Sequence, residues 1–167
     1  MIIKQINFYL IKNHKAIQKI LLYIFMIIIG FYSLSTLFSG FNHPIIDLFG
    51  FRQAQTAITS YWLIEEGYKL SYITPILGPP WSIPFEFPIY QYIVSLVQNI
   101  SELTLDQSGR LVNILFYFIS AVSLFLIFRV LGFAVIQSLV PVVLFSSSPF
   151  YLFWSRTFMI ESTALAF

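Results

Sequence analysis

An uncharged stretch from Ile20 to Phe38 limits what this chain can fold into more than any other feature of its sequence. At 1.5 Å per residue, a helix of this length crosses roughly the 30 Å hydrocarbon core of a bilayer. The composition agrees, because 58% of the 167 residues are hydrophobic and only 10% are charged, a balance foreign to water-soluble domains of this size. We therefore predict an integral membrane protein whose first transmembrane helix covers residues 20–38.

The charges lie unevenly around this helix. Four lysines precede it, whereas all seven acidic residues follow it, from Asp47 onward. An excess of lysine marks the cytoplasmic side of a transmembrane helix. Residues 1–19 are therefore predicted to form a basic tail on the cytoplasmic side of the plasma or inner membrane. A cleaved signal peptide is the alternative interpretation. The apolar run is long for a signal peptide, however, and "SLSTLFSG" contains no clear small-x-small cleavage site.

Two further uncharged runs predict two more transmembrane helices. Residues 111–128 lie between Arg110 and Arg129, and residues 133–154 extend almost to Arg156. The short turn that carries Arg129 suits the cytoplasmic side, which makes the protein multi-pass with its N-terminus inside.

The third predicted helix contains Pro141 and Pro149, which are expected to kink it, and the serines before Pro149 are available to bond the freed backbone groups. Residues 155–162 are predicted to form a second outer loop. Residues 163–167 turn apolar again, as at the start of another transmembrane helix. We therefore expect the chain to belong to a longer polytopic protein.

The segment between the first two spans, residues 39–110, holds six of the seven acidic residues and is the predicted outer loop. Helical periodicity predicts amphipathic helices over about 52–66 and 89–103, both lying on the membrane surface. Prolines between them favour a stiff, extended path. The predicted fold is an all-α membrane protein with N-terminal transmembrane helices and a large outer loop carrying interfacial helices. The polar face of each interfacial helix either meets water or lines a site.

Glu86 is the most conspicuous acid in this loop, since it stands between two phenylalanines and is bracketed by Pro84 and Pro88. Loss of hydration raises the pKa of such a carboxyl group toward the range that is useful for proton transfer. The alternative is a structural role, in which Glu86 caps a helix or pairs with Arg52 or Lys69.

Arg52 opens the first interfacial helix, where a cation opposes the helix dipole and an anion would be favoured. The backbone amides at a helix N-terminus and the guanidinium of an arginine together can bind a phosphate group. A surface arginine that meets lipid headgroups is the alternative.

Several motifs resemble those of one enzyme family. They are "GFRQAQTA", "EEG" and "TPILGPPWSIPFEFPIYQY", then "GRL" before a span and "SRTFMIES" after the next. In this order they resemble the polytopic GT-C glycosyltransferases of the protein-mannosyltransferase and aminoarabinose-transferase group (family 39-like), over roughly residues 43–167. The resemblance implies a membrane enzyme that moves a sugar, with inversion, from a polyprenyl-phosphate carrier to an acceptor on the non-cytoplasmic face.

The same resemblance suggests site residues. Glu86 before "FP" matches a family carboxylate, and Glu161 matches an acidic position in the second outer loop, where the alternative is a salt bridge with Arg156. The acidic pair that the family carries earlier is replaced here by "RQAQ", and the lysine that often follows the later carboxylate is Phe87. The candidate residues are Glu86, Asp47 and Glu161 for catalysis, Arg52 and Arg156 for the donor phosphate, and Gln53, Gln55 and Thr56 for lining the site.

The expected partners are a lipid-linked sugar donor and membrane lipids, with no nucleic acid, no certain cofactor and an unspecified acceptor. A metal site is not predicted, because cysteine is absent and His14 and His43 are far apart in sequence. The rival hypothesis is a non-catalytic membrane module, or a truncated relative, that binds a lipid-linked sugar. A transporter fragment is a weaker rival, since no charge lies in the middle of a predicted span.

Overall fold

A computed structural model describes residues 2–45, 48–69 and 86–167, and over these residues the chain is helical without any β-strand. The predicted all-α class is confirmed for this part of the chain. The helices are α1 (Ile2–Phe38), α2 (Gly50–Glu66), α3 (Ile89–Ile100), α4 (Leu105–Val130), α5 (Val135–Ser147), α6 (Pro149–Arg156) and α7 (Glu161–Ala166).

Two of the described helices are long and apolar enough to cross a membrane, namely the part of α1 from Ala16 to Phe38 and the whole of α4. Helices α5 and α6 satisfy the same criteria only as a pair. They meet at a 64° bend, so together they are either one broken span or a re-entrant loop. The chain therefore has the helices of a membrane protein, with two or three candidate spans among the described residues.

Helix α4 begins at Leu105, earlier than the sequence run from Leu111 suggested, because a capping box starts it there. The Thr104 hydroxyl accepts from the Gln107 backbone N–H at 3.3 Å, and the Gln107 side chain accepts from the Thr104 N–H at 3.0 Å. These two bonds satisfy amide groups that a helix start otherwise leaves open. As a consequence, Arg110 lies within the second turn of α4 and does not flank it.

The bend between α5 and α6 falls at Pro149, the first residue of α6, and Pro141 lies inside α5. Proline has no N–H to continue the helix, so Ser148 adopts an extended conformation and the chain turns there. One hydroxyl of the "SSS" run bonds a nearby carbonyl, since Ser147 donates to the Leu144 carbonyl at 3.2 Å. A serine outside the run, Ser33 of α1, donates to the Ser146 carbonyl at 2.7 Å.

Helices α2 and α3 pack against each other through small polar side chains. The Ser95 hydroxyl donates to the Ser60 carbonyl at 3.0 Å, and Gln53, Ser60, Gln91 and Ser95 are all fully buried. Large apolar residues of the same helices remain exposed, among them Phe51, Ile58, Tyr61 and Leu96. The sequence left two possibilities for these polar faces, which were contact with water or the lining of a site. In the structure they are buried in large part.

One cluster of buried apolar residues packs these elements together. Phe158, in the turn between α6 and α7, is completely buried against Tyr90 of α3 and Val112 of α4. Its ring lies edge-on to that of Tyr90, with 5.7 Å between the ring centroids. This cluster sets where α2, α3 and the start of α7 stand relative to one another.

Candidate functional site

Glu86 lies immediately before α3, and its side chain turns toward α2. Its Oε1 accepts a hydrogen bond from Gln91 Nε2 at 2.9 Å and lies 3.5 Å from the hydroxyl of Thr56, which donates to it. Gln91 and Thr56 are buried residues of α3 and α2. The carboxylate is therefore held at the seam between the two helices and does not extend freely into solvent.

Burial raises the pKa of the Glu86 carboxyl above its usual 4.5, and this is the largest influence on the group. The positive charge of Arg52 lowers the pKa, the negative charge of Glu161 raises it, and the hydrogen bonds from Gln91 and Thr56 lower it, without reversing the net rise. Of the two phenylalanines expected to desolvate Glu86, Phe87 is 68% exposed and Phe85 lies outside the described residues.

Arg52 and Glu161 form an ion pair, with 3.2 Å between Arg52 Nη2 and Glu161 Oε1. This contact joins the start of α2 to the first residue of α7. The alternative pairing of Glu161 with Arg156 is not found in the described part of the chain. Since both members of the pair influence the Glu86 carboxyl electrostatically, the structure brings Glu86, Arg52 and Glu161 together in one cluster.

Arg156 lies at the end of α6 and makes different contacts. Its Nη1 donates to the Ser39 carbonyl at 3.4 Å, and its guanidinium carbon lies 5.8 Å from the centre of the Phe153 ring. The two arginines proposed for the phosphate thus have different environments, because Arg52 is neutralised by a carboxylate and Arg156 meets a carbonyl and an aromatic face.

The three candidate lining residues occupy different environments. Thr56 is buried and contacts Glu86 directly. Gln53 is fully buried and acts as a brace, because its Nε2 donates to the Leu48 carbonyl at 3.0 Å and its Oε1 accepts from the Phe158 N–H at 2.9 Å. Gln55 is partly buried, and its backbone carbonyl accepts from Thr59 at 3.2 Å. Asp47 lies outside the described residues.

Sequence reasoning missed Gln91 as a contact of the carboxylate. Its signal was present, since helical periodicity over residues 89–103 places Gln91 on the polar face of the predicted helix. Tyr90 was also missed. It is completely buried, its hydroxyl donates to the Gly109 carbonyl at 2.9 Å, and burial raises the pKa of its phenol well above the usual value, so the ring stays neutral.

Arg110 is a third omission. Only 3% of this arginine is exposed, and among the described residues its guanidinium donates to the backbone carbonyls of Pro44 at 3.4 Å and Arg156 at 3.5 Å. It links the segment after α1 to the end of α6. No signal in the sequence separated this buried arginine from one that merely flanks a span.

Within the described residues, no group of three or more histidines and acids could hold a metal ion. The cluster offers a half-buried carboxylate of raised pKa beside a carboxylate that is already paired with arginine. Such an arrangement can accept a proton at Glu86 while Arg52 keeps the local charge balanced. The chain matches no protein-family model, no curated protein and no solved structure.

Proposed function

We propose that this chain is part of a GT-C type membrane glycosyltransferase, which transfers a sugar from a polyprenyl-phosphate carrier to an acceptor on the non-cytoplasmic face. The observation that carries the proposal is the position of Glu86. The residue lies in one of the motifs that resemble the family, and its carboxylate is half-buried, has a raised pKa and shares a cluster with Arg52 and Glu161. Perturbed carboxylates of this kind are concentrated at functional sites.

The proposed reaction is a single displacement at the anomeric carbon. The acceptor's oxygen or nitrogen forms a bond to that carbon, and its proton passes to the Glu86 carboxylate. The bond from the sugar to the carrier's phosphate breaks, and its electron pair leaves with the phosphate. Arg156 and Arg52 are the proposed cations for the departing phosphate, for which Arg52 exchanges its ion pair with Glu161; positive charge placed there stabilises the transition state more than the ground state.

In the proposed topology, the N-terminus is cytoplasmic and residues 39–110 lie outside, with α2 and α3 at the membrane interface. The exposed aromatic and aliphatic residues of these helices support this placement, because Phe51 (78% exposed) and Ile100 (84% exposed) would otherwise face water. Single cysteines are informative here, since the chain has none of its own. An impermeant reagent on intact cells should label position 79 and leave positions 10 and 129 unlabelled, and the opposite pattern would overturn the topology.

Activity is tested with the full natural protein in membranes and with polyprenyl-phosphate sugars as donors. Glu86→Gln keeps the shape and removes the proton acceptor, so turnover should fall by about 10² to 10⁴-fold. Glu102→Gln is the matched control, because Glu102 is an exposed acid just beyond the end of α3. Asp47→Asn tests the other candidate base. Full turnover in Glu86→Gln together with an inactive Asp47→Asn would move the role of base to Asp47.

A second candidate is a non-catalytic module that binds the lipid-linked sugar. Two observations favour it: "RQAQ" stands where the family carries an acidic pair, and Arg52 is already neutralised by Glu161. Saturable binding of a polyprenyl-phosphate sugar, without turnover of any acceptor and without sensitivity to Glu86→Gln, would establish this function instead.

A further inference from the structure

The turn between α6 and α7 is held from two sides by buried side-chain amides. From α4, Asn113 donates to the carbonyls of Thr157 and Met159. From α2, the Oε1 of Gln53 accepts the N–H of Phe158 at 2.9 Å. The three residues of the turn have no exposed surface, so a backbone group that lost its partner here would stay buried without a hydrogen bond, which is costly. The turn therefore has a defined position against α2.

The other end of the Gln53 side chain holds the backbone that leads into α2. Its Nε2 donates to the Leu48 carbonyl at 3.0 Å. The next residue, Phe49, has a φ of 62°, in the left-handed region that is unfavourable for a bulky side chain. Such a conformation persists only where its surroundings hold it, and the Phe49 ring is stacked on Trp154 with 5.3 Å between the ring centroids. Gln53 thus joins a strained helix start to the turn before α7.

The two segments that Gln53 joins carry the charged pair of the candidate site. Arg52 directly precedes Gln53 in α2, and Glu161 comes shortly after Phe158 as the first residue of α7. The side chains of Arg52 and Glu161 are 54% and 32% exposed, and so strongly solvated a pair holds its two elements together only weakly. The buried hydrogen bonds of Gln53 are better suited to set the spacing of α2 and α7.

We propose that Gln53 is a positioning residue, which fixes the distance between Arg52 and Glu161 by bonding both segments at once. Its side chain has no exposed surface, so it acts on the site through its neighbours and does not touch a substrate. In the proposed reaction Arg52 leaves its ion pair, and Gln53 then keeps the cation near the Glu86 carboxylate. This last step rests on the proposed function, whereas the spacing itself does not.

The test measures the spacing of the two segments by cross-linking. Arg52→Cys and Glu161→Cys are combined in the full natural protein in membranes, and a short bis-methanethiosulfonate reagent joins the two thiols. These 167 residues contain no cysteine, and any cysteine elsewhere in the protein is replaced. Because this parent protein lacks the ion pair, the rate of cross-linking reports the spacing that Gln53 maintains.

Gln53→Met keeps the length of the side chain and fills the same space, but removes both hydrogen bonds. It should slow cross-linking by at least about 10-fold, because small displacements strongly reduce the rate of reaction between groups that a protein holds together. Gln53→Glu retains an acceptor for the Phe158 N–H and should restore most of the rate. Gln53→Asn, whose amide is too short to reach both partners, replaces Gln53→Met if that variant does not fold.

Leu37→Ala is the matched control for loss of stability. Leu37 is 1% exposed and packs with Leu152 in a separate buried cluster, so its truncation should lower the melting temperature without slowing cross-linking. The proposal is overturned if Gln53→Met cross-links as fast as the parent, or if Leu37→Ala slows the reaction equally. A Gln53→Glu variant as slow as Gln53→Met would also overturn it, because the bond to Phe158 would then not set the spacing.

Turnover is the second readout, in the protein that retains Arg52 and Glu161. Gln53→Met should lower kcat by about 10²-fold with little change in KM, because a misplaced Arg52 weakens an interaction made in the transition state. Cross-linking that follows the predicted pattern in a protein that transfers no sugar would refute the glycosyltransferase proposal and retain the positioning role. Sugar transfer by a protein whose cross-linking is insensitive to Gln53→Met would do the reverse.

Discussion

Among the described glycines, Gly109 leaves the least room for a side chain. It lies in the second turn of α4, and a methyl group added there would sit 2.3 Å from two carbons of the buried Phe158 ring and 2.7 Å from a third. Carbon atoms prefer separations of about 3.5–4.0 Å, so the ring would have to move by more than about 1 Å. It has little freedom to do so, because it packs edge-on against Tyr90 and its backbone N–H is bonded to Gln53.

The expected cost follows from these contacts. Overpacking of a core destabilises proteins by about 1–3 kcal/mol, and so severe a clash with an immobile ring belongs at the upper end. Replacing glycine by alanine in a helix returns about 1 kcal/mol. Gly109→Ala should therefore lower the free energy of unfolding by about 2 kcal/mol, which for a chain of this size lowers the melting temperature by about 4–8 °C.

The assay is thermal unfolding of the purified chain in one detergent, followed by circular dichroism. Gly30→Ala in α1 is the matched control, because an added methyl group meets nothing within 4 Å there, and it should melt at or above the wild-type temperature. Phe158→Leu in the Gly109→Ala background should recover part of the loss, as a directly coupled pair would. A Gly109→Ala variant as stable as Gly30→Ala would refute the packing described for Phe158.

Three further substitutions test the same region by the same assay. Asn113→Leu removes the amide that donates to the Met159 carbonyl at 2.6 Å and to the Thr157 carbonyl, and should cost about 2–4 kcal/mol because two buried acceptors lose their donor; a neutral effect would contradict this role. Tyr90→Phe should cost about 1–2 kcal/mol for the lost bond to Gly109, and an unchanged melting temperature would speak against that bond. Arg110→Met should change stability by less than about 1 kcal/mol, since the hydrogen bonds of the buried guanidinium to described residues are two long ones to carbonyls, and a loss above about 3 kcal/mol would contradict this.

The sequence predicted the features that depend on neighbouring residues. The uncharged run before Phe38 and the run after Arg110 correspond to the two long apolar helices, and Pro149 coincides with the bend between α5 and α6. The predicted end of α2 before Gly67 and the predicted start of α3 after Pro88 agree with the structure, because both residues are local signals. Helix α2 starts two residues earlier than predicted, and α3 ends at Ile100, before the predicted end at residue 103.

The features that depend on distant residues were not predictable in this way. Arg52 and Glu161 are far apart in the sequence but form an ion pair. Nothing near either residue in the sequence shows that Glu161 pairs with Arg52 and not with Arg156. Burial of the polar faces was likewise hidden, since periodicity identifies a polar face without showing what covers it. Glu86 was found because its flanking prolines and phenylalanines are local signals in the sequence.

The pH dependence of sugar transfer, measured on the full natural protein and on Glu86→Gln, tests the central claim most directly. A general base works only when ionised, and burial raises the Glu86 pKa above 4.5, so kcat/KM should fall as the pH drops, with a midpoint above 4.5. The residual rate of Glu86→Gln should lack this acid limb. An acid limb that persists unchanged in Glu86→Gln would contradict the assignment of Glu86 as the catalytic base.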